Sequence, residues 1–229
     1  MKKKFLLFDV DHTLLDFSAS EKTALKKCFD AFSIPLDEEI LSWYLDHNQK
    51  LWSLYENGSI PRDEIFKSRF SHTFDHFGIK ADGASMEKVY RQALSEGIDL
   101  IAYALEVIRR LYQSHTLYIV TNGLASTQEK RLKNSGLAPY FKASFVSETM
   151  GVQKPMIEYF NHCFACIPQF QKEEALIIGD SLSSDIQGGN RAGIDSCWFN
   201  PKGIKNETPY QPTYEIQSLT ELLPLLDVL

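Results

Sequence analysis

Cysteine is scarce in this 229-residue chain, which has four: Cys28, Cys163, Cys166 and Cys197. A chain of this length does not need disulfides to hold a core, so we expect free thiols. Cys163 and Cys166 form a CxxC pair, but no second CxxC or paired histidines complete a zinc set. We therefore favour half-buried helix cysteines over zinc or redox chemistry.

Long apolar runs are also missing. No run approaches the roughly 20 residues that a membrane-spanning helix needs. The apolar run at residues 5–8 stops at Asp9, and no small-residue cleavage site follows it. That run is shorter than the roughly 7–15-residue core of a signal peptide. We expect a cytoplasmic protein without a membrane partner.

Positive charge is not in excess. Lysine and arginine number 24 against 30 aspartates and glutamates, which gives a formal net charge of -6. This balance argues against nucleic acid as a partner. Internal repeats and low-complexity segments are absent from the sequence, and the hydrophobic fraction of 44% is ordinary for a globular protein.

One long segment, residues 18–95, has the spacing of helices throughout. Apolar residues recur every three or four positions, as at Leu25 and Phe29 or at Phe66 and Phe70. Proline and glycine punctuate the segment, for example at Pro35. The pattern predicts about four short helices and almost no strand.

The rest of the chain alternates strand and helix patterns. Short apolar runs typical of buried strands lie at residues 5–8, 117–120, 143–146, 175–178, 196–199 and 214–216. Helical patterns, such as the one from Ile101 to Leu111, separate them. The alternation predicts an α/β fold: a parallel sheet with helices on both faces. We place this core at residues 1–16 and 97–229, with residues 17–96 as an all-helical insertion after the first strand.

Polar clusters follow four of these strands. They are Asp9 and Asp11 with Thr13, then Thr121 with Asn122, then Lys154 with Pro155, then Asp180 with Asp185. The carboxyl ends of parallel strands share one edge of a sheet, so we expect the clusters to converge. Carboxylates are costly to bury without a partner, and Mg2+ is a suitable one because it takes oxygen ligands.

Each cluster has a structural alternative. The first aspartates could serve a turn, and Asp180 and Asp185 could cap a helix. Thr121 with Asn122 could form an ordinary turn, and Lys154 could be a surface lysine. The occurrence of all four clusters in order, each after a strand, favours a functional site.

The motifs Asp9-Val10-Asp11-His12-Thr13, Thr121-Asn122, Lys154-Pro155 and Gly179-Asp180-Ser181 through Asp185 resemble the four motifs of the haloacid dehalogenase-like (HAD) hydrolases. The resemblance covers nearly the whole chain. It implies a Rossmann-like core with a helical cap, here residues 17–96, inserted after the first motif.

The resemblance also implies roles for the first aspartates and the metal. Asp9 would be the nucleophile that forms an aspartyl-phosphate, and Asp11 would be the general acid and then the general base. The carboxylates of Asp9 and Asp180, with the backbone carbonyl of Asp11, would hold Mg2+. Mn2+ would also suit these oxygen ligands.

The remaining motif residues would act on the phosphate. Thr121 would hold a phosphate oxygen through its hydroxyl, Asn122 through its backbone N–H, and Lys154 through its charge. Asp185 would orient Lys154 or a metal-bound water.

The presence of Asp11 favours phosphoryl transfer, because the dehalogenases of this family lack that acid. Within the family the chain is similar to the bacterial pyrimidine-type 5'-nucleotidases, in segments such as 147–155 and 179–189. The implied substrate is a small phosphate monoester, a nucleotide, and we expect a monomer or weak dimer. A sugar-phosphate or phosphoglycolate phosphatase, a phosphomutase and a non-catalytic phosphate-binding module stay open as alternatives.

Two features lie outside these motifs. Relatives often have Pro-Gly at the start of the helix after the cap, where this chain has Ile101-Ala102-Tyr103-Ala104, which affects the connection after the cap. The cap is rich in aromatic residues, and Arg62, Arg69 or His47 could reach the substrate. Packing among helices is the stronger interpretation for most of the aromatics.

Overall fold

A computed structural model describes residues 3–227 of the chain. The chain forms two compact units. An α/β unit contains the residues up to Phe17 and those from Ile98 onward, and a helical unit contains Ser18–Gly97.

The α/β unit is built on one sheet of six parallel strands. These are β1 (Phe5–Phe8), β2 (Thr116–Thr121), β3 (Phe141–Val146), β4 (Ala175–Gly179), β5 (Asp195–Phe199) and β6 (Tyr214–Ile216). The spatial order is β3-β2-β1-β4-β5-β6. The chain order therefore reverses direction at β1, between its neighbours β2 and β4, where open α/β sheets bind ligands.

Every residue of a central strand can be apolar because an apolar core packs against each face of the sheet. Leu6 and Phe8 belong to the apolar core on one face, and Phe5 and Leu7 belong to the core on the other. All four residues are buried. The parallel α/β fold expected from the sequence is confirmed.

Helices of the α/β unit cover the two faces. They are α5 (Ala104–Leu111), α6 (Ala125–Asn134), α7 (Ser147–Met150), α8 (Ile157–Cys166), α9 (Gln187–Ala192) and α10 (Leu222–Leu225). Short 3-10 turns lie at Ala138–Tyr140, Lys172–Glu174 and Leu219–Glu221, and a π-helical segment, Leu182–Ile186, precedes α9. The CxxC pair lies within α8, and all four cysteines are free thiols, as expected.

Two helix starts differ from the sequence pattern. The helix expected from Ile101 begins at Ala104, because Tyr103 has a left-handed backbone with a φ of 65°. The helical segment that leads into α9 opens with the wider π-helical turn at Leu182, where the apolar pattern indicates ordinary helical spacing.

Four helices make up the helical unit: α1 (Phe17–Ala31), α2 (Glu38–Glu56), α3 (Arg62–Phe77) and α4 (Gly83–Leu94). The carboxylate of Asp37 caps α2 by accepting a hydrogen bond from the backbone N–H of Ile40 at 2.8 Å. Within residues 3–227, no helix is both long enough and apolar enough to cross a membrane.

An aromatic core with a buried ion pair holds the helical unit together. The rings of Tyr44, Phe70 and Tyr90 pack against one another. Arg69 donates to both carboxylate oxygens of Glu87, at 2.7 and 2.8 Å, and both side chains are buried. Arg69, Tyr44 and Phe70 thus serve the packing of the unit.

Candidate functional site

The polar segments named in the sequence analysis meet at the carboxyl end of the sheet. Asp9 follows β1, Thr121 ends β2, and Asp180 follows β4. Because these three strands are neighbours and parallel, their ends lie side by side. Lys154 comes from the loop after α7.

A tight turn after β1 presents the first two aspartates. The backbone N–H groups of Leu14 and Leu15 each donate to the carbonyl of Val10 at 2.9 Å. His12 has a φ of 61°, which reverses the chain directly after Asp11. The turn leaves Asp9 buried and the side chain of Asp11 27% exposed.

Lys154 is the centre of the buried part of the site. Its Nζ donates to Asp9 Oδ1 at 2.7 Å, to Asp185 Oδ1 at 2.7 Å and to the carbonyl of Val120 at 2.9 Å. The whole residue is 1% exposed. A buried ammonium is stable only when its donors are satisfied, and these three acceptors match its three N–H bonds.

Asn122 fixes the backbone of Lys154. Its side-chain amide donates to the carbonyl of Lys154 and its side-chain oxygen accepts from the N–H of Lys154, both at 3.0 Å. The lysine is therefore anchored at its backbone and at its ammonium. The family resemblance implies a role only for the backbone N–H of Asn122, so this contact of its side chain is an additional one.

The π-helical segment places Asp185 beneath Lys154. Asp185 Oδ2 accepts from the backbone N–H of Ser181 at 3.1 Å, and its other oxygen accepts from Lys154. A Cβ at Gly179 would lie 2.1 Å from Asp185 Oδ2, so only glycine fits there. Trp198 Nε1 donates to the carbonyl of Asp180 at 2.8 Å and fixes that backbone.

Burial and mutual repulsion shift the protonation of these acids. Burial raises the pKa of Asp9 from 3.8 to about 8; Lys154 opposes this, and the carboxylates of Asp185 and Asp11 add to it. Burial and the nearby Asp9 raise the pKa of Asp180 well above its usual value. Burial alone would lower the pKa of Lys154, but Asp185 and Asp9 outweigh it and the pKa rises.

Three acids form a cluster that fits a divalent cation. One carboxylate oxygen from each of Asp9, Asp180 and Asp185 lies within 4.8 Å of the others. Such oxygens are the ligands that Mg2+ prefers, and a cation would offset the burial and the repulsion that together raise the pKa values of Asp9 and Asp180. The carboxylate of Asp11 is not part of the cluster.

Asp11 instead contacts two side chains of α6 that the sequence analysis missed. Arg131 Nη1 donates to its Oδ1, and Gln128 Nε2 donates to its Oδ2 at 2.6 Å. Arg131 and Gln128 are both buried. The signal in the sequence is a helix whose inward face is polar, but the partner lies 120 residues away.

The hydroxyl of Thr121 completes the site. Its Oγ1 accepts from the backbone N–H of Gly123 and from Gln128 Nε2, both at 3.1 Å. Since the oxygen accepts two hydrogen bonds, its own proton remains available for donation. Thr121 and Asn122 are both buried at the end of β2.

Comparison with known proteins supports a family assignment. Residues 6–199 match the family model described as haloacid dehalogenase-like hydrolase. The HAD-hydrolase YfnB of Bacillus subtilis is 51% identical over 97% of this chain and 95% of its own length. A crystal structure of YfnB bound to magnesium superposes with a TM-score of 0.95 and covers 100% of both chains.

Two nucleotidases are also similar over nearly their full lengths. The pyrimidine 5'-nucleotidase PynA of Streptococcus pneumoniae is 41% identical over 98% of this chain and 95% of its own. The pyrimidine 5'-nucleotidase YjjG of Escherichia coli is 29% identical over 99% of each chain. With a family match across most of its length, this chain belongs to the haloacid dehalogenase-like hydrolases.

Proposed function

We propose that this hydrolase is a Mg2+-dependent phosphomonoesterase that acts through an aspartyl-phosphate on Asp9, with pyrimidine nucleoside 5'-monophosphates as substrates. The observation that carries the proposal is the contact between the buried Lys154 ammonium and Asp9, beside the acids Asp180 and Asp185.

Asp9 would act as the nucleophile. One carboxylate oxygen would attack phosphorus while the bond from phosphorus to the ester oxygen breaks. Lys154 offsets the negative charge that gathers on Asp9 and the phosphate. Its two anchors, Asn122 and Asp185, hold the ammonium in place throughout.

Asp11 would handle both proton transfers. It first gives a proton to the leaving ester oxygen. It then takes a proton from the water that attacks phosphorus and releases inorganic phosphate from Asp9. The side chain of Asp11 is more exposed than that of Asp9, which suits contact with a leaving group and water.

Thr121 and Asn122 would bind the phosphate group. The available hydroxyl proton of Thr121 can be donated to a phosphate oxygen, and the backbone N–H of Asn122 would add a second donor. Thr121 ends β2 and Asn122 follows it, beside the end of β1, where the phosphate must lie for Asp9 to reach it.

The acid cluster would hold Mg2+ through Asp9 and Asp180, with the backbone carbonyl of Asp11 as a third ligand. Asp185 lies in the cluster as well, but Lys154 and the Ser181 N–H already occupy its oxygens, so we give it a positioning role. When bound, the cation would neutralise charge on the phosphate and stabilise the transferring group. YfnB, the relative at 51% identity, has been crystallised with magnesium.

The substrate class comes from PynA and YjjG, which are named as pyrimidine 5'-nucleotidases. We propose that the helical unit, Ser18–Gly97, is the cap that selects the nucleoside and excludes water. The crystal structure of YfnB is described as revealing an interdomain movement.

A panel of phosphate esters ranked by kcat/KM tests the proposal. It should include pyrimidine and purine 5'-monophosphates, sugar phosphates, phosphoglycolate and p-nitrophenyl phosphate, each with Mg2+ and with chelator. We expect pyrimidine 5'-monophosphates to rank first and chelator to abolish turnover. Preference for a sugar phosphate or phosphoglycolate would overturn the substrate class.

The same panel separates the remaining alternatives. Interconversion of sugar-phosphate isomers without phosphate release would indicate a phosphomutase. Tight binding without any product would indicate a non-catalytic module. Asp9→Asn is the control for both, because it removes the nucleophile and keeps the shape of the side chain.

A further inference from the structure

The carboxylate of Asp11 is held on both of its oxygens by one helix. Arg131 donates to Oδ1 and Gln128 donates to Oδ2, and these residues are three apart on the inward face of α6. Arg131 is 1% exposed and Gln128 is 2% exposed. In the chain, Gln128 lies 117 positions after Asp11 and Arg131 lies 120 positions after it.

Burying these two groups costs free energy that ordinary packing would avoid. A guanidinium and an amide are expensive to remove from water, and an apolar residue at either position would pack without that cost. The guanidinium lies 5.7 Å from the ring of Phe17, so its other surroundings are partly apolar. The polar inward face of α6 therefore points to a task at Asp11.

The loop before α6 makes room for this arrangement. A Cβ at Gly123 would lie 2.5 Å from Gln128 Nε2. Gln128 also donates to Thr121 Oγ1 at 3.1 Å, so one amide joins Asp11 to the hydroxyl at the end of β2. The two groups cannot move apart without breaking this link.

We propose that Arg131 and Gln128 are positioning residues that fix the Asp11 carboxylate for proton transfer to the leaving group. This inference rests on the proposed phosphatase function. A carboxyl group has about four lone-pair sites; α6 occupies two of them, and another carries the proton when Asp11 acts as the acid. As the bond from phosphorus to oxygen breaks, that proton passes to the leaving oxygen, and the hydrogen bonds from Arg131 and Gln128 stabilise the carboxylate that remains.

The test compares two esters that differ in their need for an acid. A nucleoside 5'-monophosphate has an alkoxide leaving group that needs protonation, whereas p-nitrophenolate leaves without it. The parameter kcat/KM isolates formation of the aspartyl-phosphate. General acid catalysis contributes about 10²–10⁴-fold, so we expect Arg131→Met to lose about 10- to 100-fold on the nucleotide and less than about 3-fold on p-nitrophenyl phosphate.

Three further variants sharpen the comparison. Gln128→Met is close in shape to the original residue. It should also lose more kcat/KM on the nucleotide than on p-nitrophenyl phosphate, with a smaller loss than Arg131→Met, and it replaces Arg131→Met in the test if that variant does not fold. Arg131→Lys should recover part of the nucleotide activity. Arg109→Met is the matched control, since Arg109 is an exposed arginine that donates to Tyr140 at 2.8 Å, and we expect wild-type kinetics.

Placing Arg131→Met in an Asp11→Asn background tests whether the two residues act together. If Arg131 acts through Asp11, the added change should alter kcat/KM by less than about twofold. An equal loss on both esters, or a full loss that persists in the Asp11→Asn background, would overturn the inference. Failure of the proposed function is distinguishable, because the unmodified protein would then lack Asp9-dependent hydrolysis of either ester.

Discussion

Lys154 Nζ lies 2.7 Å from Asp9 Oδ1, although 145 residues separate the two in the chain. The lysine is buried, and the same ammonium contacts Asp185 at 2.7 Å. Lys154 therefore offsets the repulsion between two carboxylates in a water-poor environment. This relationship leads to the first prediction.

Lys154→Met should destabilise the metal-free protein. It leaves Asp9 and Asp185 buried without their cation, and breaking a buried pair in this way costs about 3–5 kcal/mol. Urea unfolding in chelator measures the loss. Lys133→Met, at an exposed position of α6, is the control and should have little effect. A cost below about 1 kcal/mol for Lys154→Met would contradict the assigned role of the lysine.

Stabilisation by Mg2+ should increase with pH. The pKa of Asp9 is raised from 3.8 to about 8, so between these values the folded protein keeps a proton that the unfolded chain has lost. The metal-free protein thus loses stability as pH rises through this window. Mg2+ competes with that proton, because the carboxylate must be ionised to bind it.

Thermal unfolding measures this effect. The rise in Tm on adding Mg2+ should be larger at about pH 9 than at about pH 6. Asp9→Asn should reduce the difference between the two pH values. An equal shift at both would show that protonation of the cluster does not oppose metal binding.

The buried ion pair of the helical unit gives a third prediction. Arg69→Met removes the bidentate partner of Glu87 and leaves Arg91, whose Nε lies 3.2 Å from Glu87 Oε1. The free energy of unfolding should therefore fall by about 3 kcal/mol, the lower end of the range for breaking a buried pair. The double variant Arg69→Met with Glu87→Met should be more stable than the single one. The exposed pair Lys26 and Asp30 is the control, and Lys26→Met should cost less than about 0.5 kcal/mol. A double variant less stable than Arg69→Met would contradict the account.

Tyr103→Gly should stabilise the protein. Tyr103 has a φ of 65° and is 59% exposed, so its ring contributes little packing while its backbone is strained. The left-handed region costs about 1–2 kcal/mol for a residue with a Cβ, which glycine would avoid. Glycine also gives the unfolded chain more freedom, and this reduces the gain in stability by about 0.4–1 kcal/mol. Urea unfolding should show a net gain between about 0 and about 1.6 kcal/mol.

Tyr112 is a matched control at the other end of α5. It is 50% exposed and has a φ of -57°, which is right-handed. Tyr112→Gly should therefore destabilise the protein. If both glycine variants destabilise the protein, the left-handed backbone of Tyr103 holds no strain that glycine relieves.

The sheet could be predicted from the sequence because its strands are short, continuous apolar runs that end in polar residues. The same pattern predicted that Asp9, Thr121, Lys154 and Asp180 lie at one edge of the sheet. The carboxyl ends of parallel strands in one sheet all lie at the same edge. The roles of these residues stay proposals.

Other features could not be predicted because they depend on contacts between distant segments. Arg131 looks like a surface charge of a helix until its partner, Asp11, is known. The left-handed backbone of Tyr103 contradicts local preference, since nothing about a tyrosine favours it. The π-helical turn at Leu182–Ile186 differs from an α-helix only in its spacing, which the apolar pattern does not resolve.

Trapping the covalent intermediate tests the central claim most directly. Turnover of a pyrimidine nucleoside 5'-monophosphate with Mg2+ would be quenched in acid, and the site of phosphorylation would be located by peptide mass spectrometry. We predict one phosphoryl group on Asp9 in the unmodified protein, and neither adduct nor turnover for Asp9→Asn. A phosphoryl group on another residue, or undiminished turnover by Asp9→Asn, would contradict the account.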